Sequence, residues 1–429
     1  MGHLKKIGSV LLILALISGA TLLTQTFNST YAANTLLGEN EIITINNTTD
    51  GLPLDAPFAA SGYSADGNVI LFASSATNLP NAGGPGGFYT YNIRSGLVKR
   101  VDISTSGVQA NAGAFLSRYI SETGRYVTFG SSATNLIDGS TSAIGMYYKH
   151  DTQTGVTTYI GGNYSNGLSQ NWDRNLGVSN DGRFVLMASR NKANSYPYNY
   201  GIVLGEEVNG AYEWTQLAKD NGGGQGSANS TAVLGGLSCD GAFATYQVNR
   251  TIGLADLRKG TIIKLTAGSD TSISPIISCN GRYVLYATKN RTDIIPTPSG
   301  MNTNFHLVRY DRISGEHKYI DSDSSGVFGN GWTWNTMSEP PINIANASIS
   351  DTGDVVFSYN GTAHLKHFSD ESETLEPVAK KIDGTYYTGN YGATITRDGR
   401  YIFLNTDPYN LGLTSSPSTS KLIRTKTNL

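Results

Sequence analysis

The sequence predicts an all-β fold: a seven-bladed β-propeller with four-stranded antiparallel blades, its ring closed by an N-terminal strand that completes the last blade. Three observations predict it. A sixteen-residue phrase, clearest from Ser121 to Leu136 (SETGRYVTFGSSATNL), returns at seven places. Each copy is followed by two further strand-like runs, in most units around a short turn. The last unit is one strand short, and one strand near the start has no hairpin of its own. A four-stranded unit repeated around an axis makes a propeller.

The copies open at Ser64, Ser121, Ser179, Ser238, Ser278, Ser350 and Thr396, and their turn glycines are Gly67, Gly124, Gly182, Gly241, Gly281, Gly353 and Gly399. Asp or Asn before Gly supplies the positive φ that a two-residue hairpin turn needs. The opening Ser or Thr is placed to hydrogen-bond the turn backbone. The β-branched and aromatic residues that follow, such as Tyr126, Val127 and Phe129, suit a half-buried pleated strand.

In order, Glu41 to Asn46 (EIITIN) is the lone strand. It leads into Thr48-Thr49-Asp50-Gly51, which matches the ends of later units at Ile103 to Gly107 and Asp321 to Gly326. It is therefore the last strand of a blade begun elsewhere. The first unit runs FAASGYS, Asp66-Gly67, NVILFAS, FYTYNI, Ser95-Gly96 and LVKRVDI. Units two to six repeat the plan, with third strands GMYYKHD, GIVLGEEV, TIGLADL, FHLVRYD and AHLKHFS. The seventh has YGATIT, RYIFLNT and KLIRTKT and then stops, so Glu41 to Asn46 supplies its fourth strand. The glycine-to-glycine steps of 57, 58, 59, 40, 72 and 46 residues differ because loops differ.

The phrase S-x-D-G-R-Y-V-x-F-x-S-x-A-T-N-L, followed by a strand, a T-G turn and another strand, resembles the TolB-like or WD-repeat-like propeller repeats of exported bacterial proteins. Ser121 to Ile160 matches best and Ser64 to Ile103 nearly as well, and the resemblance spans nearly everything after residue 40. Ala242 in place of Arg and Thr352 in place of the turn acid depart from it. The resemblance implies the fold; on function it implies little, since such propellers serve as binding scaffolds, enzymes and assembly parts.

Composition agrees with many short strands: 50 Gly and 25 Tyr in 429 residues, with aromatics at 10%. The net charge of −2 carries no basic excess, which argues against nucleic acid as a partner. Residues 1–33 read as a targeting segment, with Lys5 and Lys6 ahead of an apolar run from Ile7 to Leu23 and small residues at Ala32-Ala33. Two readings stand: a signal peptide cleaved near Ala33, or an uncleaved anchor, the only route to a membrane partner. Residues 34–39 read as a linker and 40–429 as the propeller. Export makes the protein secreted or cell-surface, with an extracellular protein or glycan as partner. Cys239 and Cys279 occupy the same phase of adjacent copies, which points to a disulfide, with two free thiols as the alternative.

Sidedness directs the search for function. The hairpin turns within blades lie on one face and are short; the second-to-third-strand loops and the blade-to-blade crossovers lie on the other and are long. That crossover face holds Asn191 to Tyr200, Asn290 to Asn304 and Asp323 to Ile344. The ligand-binding candidates are Trp332, Trp334 and Asn330, with Trp172 in the crossover after the second blade and Tyr196, Tyr198 and Tyr200. Exposed aromatics there stack on sugar rings or grip a protein, or else fold back over blade edges. Asp321 to Gly326 echoes half a calcium loop but has Trp332 where a ligand Glu belongs, so an inter-blade turn is the expectation. His364 and His367, three apart on a strand, face opposite ways and read as surface residues rather than a zinc pair. No nucleophile elbow, zincin helix or P-loop is present, and no catalytic residue, metal or cofactor is assigned. The rival reading is a glycoside hydrolase or lyase drawing on Asp102, Asp173 and Glu339 near the crossover face.

Overall fold

The structure, a computed structural model, describes residues 35–37, 40–46, 51–83, 86–139, 146–161, 171–191, 199–219, 235–248, 251–266, 272–289, 301, 304–323, 325–329, 347–360, 362–368, 373–387, 392–404, 406–413 and 421–427. Seven antiparallel sheets account for the strands. Blade one is β3 (Phe58–Tyr63), β4 (Val69–Ser74), β5 (Gly87–Asn92) and β6 (Val98–Arg100); blade two is β7 (Ala114–Ile120), β8 (Tyr126–Ser131), β9 (Met146–Asp151) and β10 (Thr157–Gly161). Blade three, β11 (Asn171–Val178), β12 (Phe184–Asn191), β13 (Asn199–Val208) and β14 (Ala211–Lys219), has the longest strands. Blade four is β15 (Gly235–Leu237), β16 (Phe243–Val248), β17 (Thr251–Asp256) and β18 (Thr261–Lys264). Blade five is β19 (Ser272–Ile277), β20 (Tyr283–Thr288), β21 (His306–Asp311) and β22 (Glu316–Tyr319). Blade six is β23 (Ser348–Ile349), β24 (Val355–Tyr359), β25 (Thr362–Phe368) and β26 (Glu373–Pro377).

Blade seven closes the ring as expected. Its own β27 (Ala393–Ile395), β28 (Tyr401–Leu404) and β29 (Lys421–Lys426) are joined by β2 (Asn40–Thr44), with Asn40 opposite Thr425 and Thr44 opposite Lys421. Arg424 clamps the junction, donating from Nε to Glu41 Oε2 at 2.8 Å. Inside the stretch read as a linker, β1 (Thr35–Leu37) adds a fifth strand on the outer edge.

Each recurring residue has a visible cause. The Ser121 hydroxyl accepts from the Tyr126 amide (3.0 Å), and the same bond recurs at Ser179, Ser238, Ser278 and Thr396. The turn acid accepts from that hydroxyl, as in Ser238 to Asp240 Oδ1 at 2.7 Å. Turn glycines lie at φ of +65 to +91°, a region a Cβ disfavours. Most have a second reason: a Cβ on Gly182 would stand 2.7 Å from the Tyr126 ring of the preceding blade, and one on Gly241 would strike Phe184. Arg125 forks onto Asp151 (3.0 and 2.7 Å) and lies over Tyr126; Arg282, Asp311 and Tyr283 repeat this in blade five. Burial pushes the Asp151 carboxyl up, but Arg125 and the amides of the following turn outweigh it and hold it well below the usual carboxylate range.

Seven hydrophobic clusters fill the seams between blades, one per seam. Leu71 and Phe88 of blade one meet Val127 and Phe129 of blade two. Ile43 of β2, with Phe403, meets Ile70 and Phe72. The core is therefore an annulus of inter-blade contacts, as expected of a repeat fold whose unit cannot bury its own faces.

Candidate binding face

The residue after the opening Ser or Thr of each phrase comes from the innermost strand and turns toward the axis. Ala65 donates its amide to the Glu122 carbonyl (2.7 Å), Asn180 to Cys239 (2.7 Å), Cys239 to Cys279 (2.9 Å) and Asp351 to Arg397 (2.8 Å). The Thr123 amide reaches Asn180 Oδ1 (3.2 Å), the Asn280 amide reaches Asp351 Oδ1 (2.8 Å), and the Asp398 amide returns to Ala65 (3.3 Å). These links join all seven blades in a circle on the hairpin-turn face. The Cys239–Cys279 disulfide, expected from the shared phase, reinforces one of them.

Inside the circle, Arg397 Nε donates to Glu122 Oε1 (2.7 Å) and Arg397 Nη1 to the Ile349 carbonyl (2.8 Å). Burial raises the Glu122 and Asp351 carboxyls, and Arg397 opposes the shift in both. A pocket lies against the pair, lined by Tyr119, Glu122, Gly236, Cys239, Ile277 and Arg397 and holding about 40 Å³. That admits a few water molecules and no sugar ring. The pair and the disulfide together narrow the axis at this face.

Elsewhere, the structure corrects three expectations. Asp102, an acid the hydrolytic reading draws on, does not open onto the crossover face: it is fully buried, bound by Arg100 at 2.9 and 3.1 Å and by the Phe88 amide at 3.1 Å. Burial raises its carboxyl against the pull of Arg100. Asp321 holds the matching place in blade five, paired with His306 Nδ1 at 2.8 Å. Both acids tie down the root of a crossover and are not free to serve as catalytic acids. His364 and His367 are half-buried rather than surface residues; His367 Nδ1 lies 2.8 Å from Asp354 Oδ1. Trp172 belongs to β11, opposite Ser189 of β12, and not to the crossover. Asp173 shares that strand.

The turn reading of the acidic crossover holds. Asp323 Oδ1 accepts from the Ser325 amide (2.9 Å), the Ser325 hydroxyl (2.6 Å) and the Val327 amide (2.9 Å). Asp383 repeats the pattern with Thr385, at a crossover the sequence reading passed over. Tyr200 is the second residue of β13 and stands opposite Arg190, while Trp172 stands opposite the adjacent Ser189, so the backbone brings both to the crossover end of blade three. Asn330, Trp332, Trp334, Tyr196, Tyr198 and Glu339 lie outside the described residues, as does the leader.

No family model matches the chain, and no curated protein matches it. Among solved structures it is similar to a putative TolB from Agrobacterium tumefaciens, at 16% identity over 65% of this chain and 87% of that one, TM-score 0.37. It is similar to TolB from Acinetobacter baumannii at 12% identity over 88% of this chain and 66% of that one, TM-score 0.37. A prolyl endopeptidase structure gives 12% identity over 87% of this chain, TM-score 0.49, and the chain spans half of that protein. The chain itself is a seven-bladed β-propeller with TolB and other propellers among its structural neighbours.

Proposed function

We propose that the protein is an exported binding scaffold whose crossover face takes a cell-surface glycan or an extracellular protein. The observation that carries this reading is the contrast between the faces. The hairpin-turn face is built from short turns, linked in a circle and narrowed by Arg397 and Glu122. The crossover face receives the long connections and the extended strands of blade three. The aromatic side chains of Trp332 and Trp334 belong to its longest crossover by sequence. Of the acids named for a hydrolytic reading, Asp102 is consumed by Arg100, which weakens that rival.

The test is a glycan array probed with residues 34–429 beside a Trp332→Ala/Trp334→Ala variant, with product release followed on every hit. Binding that the variant loses, without product, is the expected result. Turnover of a bound glycan would transfer the case to an enzyme. Failure to bind any glycan would remove sugars and leave capture of an extracellular protein as the reading to pursue.

A further inference from the structure

One blade carries an apolar patch that the binding reading does not use. Twelve large hydrophobic residues are exposed among the described residues, and four of them surround the crossover end of blade seven: Leu52 (57%), Ile382 (64%), Tyr386 (44%) and Tyr409 (48%). Leu52 tips the crossover leaving this blade, and Ile382 and Tyr386 tip the one entering it. Tyr409 rides on the short 3-10 turn Pro408–Leu411 between β28 and β29. The Ile382 amide donates to the Leu411 carbonyl (3.0 Å), and its side chain lies against Gly412, which brings that crossover onto the tyrosine-bearing turn. Residues 382–386 are exposed without a break. Leu52 has exposed counterparts in Val108 and Val327 at the same place in other crossover turns, so what sets this blade apart is Ile382, Tyr386 and Tyr409 gathered beside it, whereas single exposed hydrophobics scattered over a surface are ordinary.

The course of the chain says what meets this patch. β2 runs from the hairpin-turn face toward the crossover face, because its first residue pairs with the end of β29. β1 runs back antiparallel, with Leu37 opposite Asn40 and Thr35 opposite Ile42, so the chain preceding Thr35 is directed toward the crossover side of blade seven. Eleven residues, 24–34, separate Thr35 from the apolar run ending at Leu23. Extended, they reach about 40 Å at most. An N-terminal run inserted in a bilayer thus holds this blade, and not its opposite, next to the lipid. Lys380 and Lys381 open the same crossover, and its one acid, Asp383, is engaged by the Thr385 amide and hydroxyl. Aliphatic tips, tyrosines and lysines together are the composition of an interfacial contact.

We infer that the crossover rim of blade seven, formed by Leu52, Ile382, Tyr386 and Tyr409, rests on the surface of a lipid bilayer. Blade seven then sits at the membrane while the tall strands of blade three, across the ring, stand away from it. This contact is distinct from the proposed glycan or protein site, and the two fail in separate experiments.

Residues 34–429 retain every strand of the fold, so the leader is left out to keep it from carrying the result. That protein is floated with vesicles of phosphatidylcholine, alone and mixed with phosphatidylglycerol, beside Leu52→Ser/Ile382→Ser, Tyr409→Ser and, as a control on the other face, Val156→Ser. The parent and the control are expected to float, more strongly with the anionic lipid. The double variant should lose about a hundredfold of its partitioning, since each aliphatic contributes roughly a factor of ten when buried; Tyr409→Ser should lose less. Matching thermal midpoints among the variants show that folding is not the cause. A parent that stays with the soluble fraction for both vesicle types overturns the inference, as does a double variant that floats like the parent. A patch that ignores vesicles belongs to a protein contact instead.

Discussion

Arg397 and Glu122 come from blades two apart in the ring, yet they share a 2.7 Å hydrogen bond. Blade one, between them, contributes Ala65 at the same position of its phrase. A methyl there leaves the span open for a long guanidinium. The two side chains are only 19% and 16% exposed, and what they expose faces the axis.

Replacing Glu122→Gln keeps the shape and removes the charge that Arg397 faces. The expected cost is about 2 kcal/mol, below that of breaking a fully dry pair because the axial pocket admits water. Urea unfolding of the variant measures it. A loss under about 0.5 kcal/mol would place the pair among ordinary surface ion pairs.

Two glycine substitutions separate strain from crowding. Gly155 has φ +76° and nothing within 4 Å of a new Cβ, so Gly155→Ala should cost about 1 kcal/mol. Gly182 has φ +73° and the Tyr126 ring at 2.7 Å, so Gly182→Ala should cost about 3 kcal/mol. Equal thermal midpoints for the two variants would mean that the seam yields freely.

Acid sensitivity should come in part from His150. It is 3% exposed, its Nδ1 is 2.8 Å from Thr157 Oγ1, and burial pushes its imidazole down to about 4. The folded value lies below the unfolded one. Its contribution to stability is therefore complete above pH of about 6.5 and is lost as the pH falls toward the folded value. His150→Gln should flatten the stability curve between those limits, where wild type loses up to about 1.4 kcal/mol per pH unit from this group. Chemical denaturation at a series of pH values reads the slope, and parallel curves would assign the acid loss elsewhere.

The disulfide closes a loop with a sequence separation of 40 residues. Chain-entropy arithmetic gives it about 4 kcal/mol. Cys239→Ser/Cys279→Ser should lose somewhat less, because the Cys239 amide still binds the Cys279 carbonyl. A thermal midpoint unchanged by the double substitution would show that the seam needs no bridge.

The blades were legible because their cause is local. Ser, turn acid and Gly satisfy one another within five residues, and seven copies leave no doubt about period or count. Closure by Glu41 to Asn46 followed from counting strands, and Asn40–Thr44 fills that place. The axial circle was less legible, although its residues sit in the same phrase. Ala65, Glu122, Asn180, Cys239, Cys279, Asp351 and Arg397 share one position and almost no chemistry, since each answers to a neighbour across the ring rather than to its own turn. Only the two cysteines, identical and adjacent, gave themselves away. Asp102 was misread for a related reason: Arg100 reaches it by lying over Gly87, whose missing side chain leaves the space, and spacing does not reveal such a vacancy. The aromatic candidates Trp332 and Trp334 rest on a long crossover and on the stacking chemistry of indoles, and no repeat partner elsewhere in the chain constrains them.

Ring closure through blade seven also decides how the molecule bears a pull. Asn40 and Thr425 stand opposite each other at one end of the β2–β29 ladder, so tension between the two chain ends strips β1 from β2 first and then peels that ladder one pair at a time, starting there. A load that spreads neighbouring blades instead meets an inter-blade hydrophobic seam and an axial link together. The fold should therefore open readily when drawn by its ends and resist strongly when gripped across its faces.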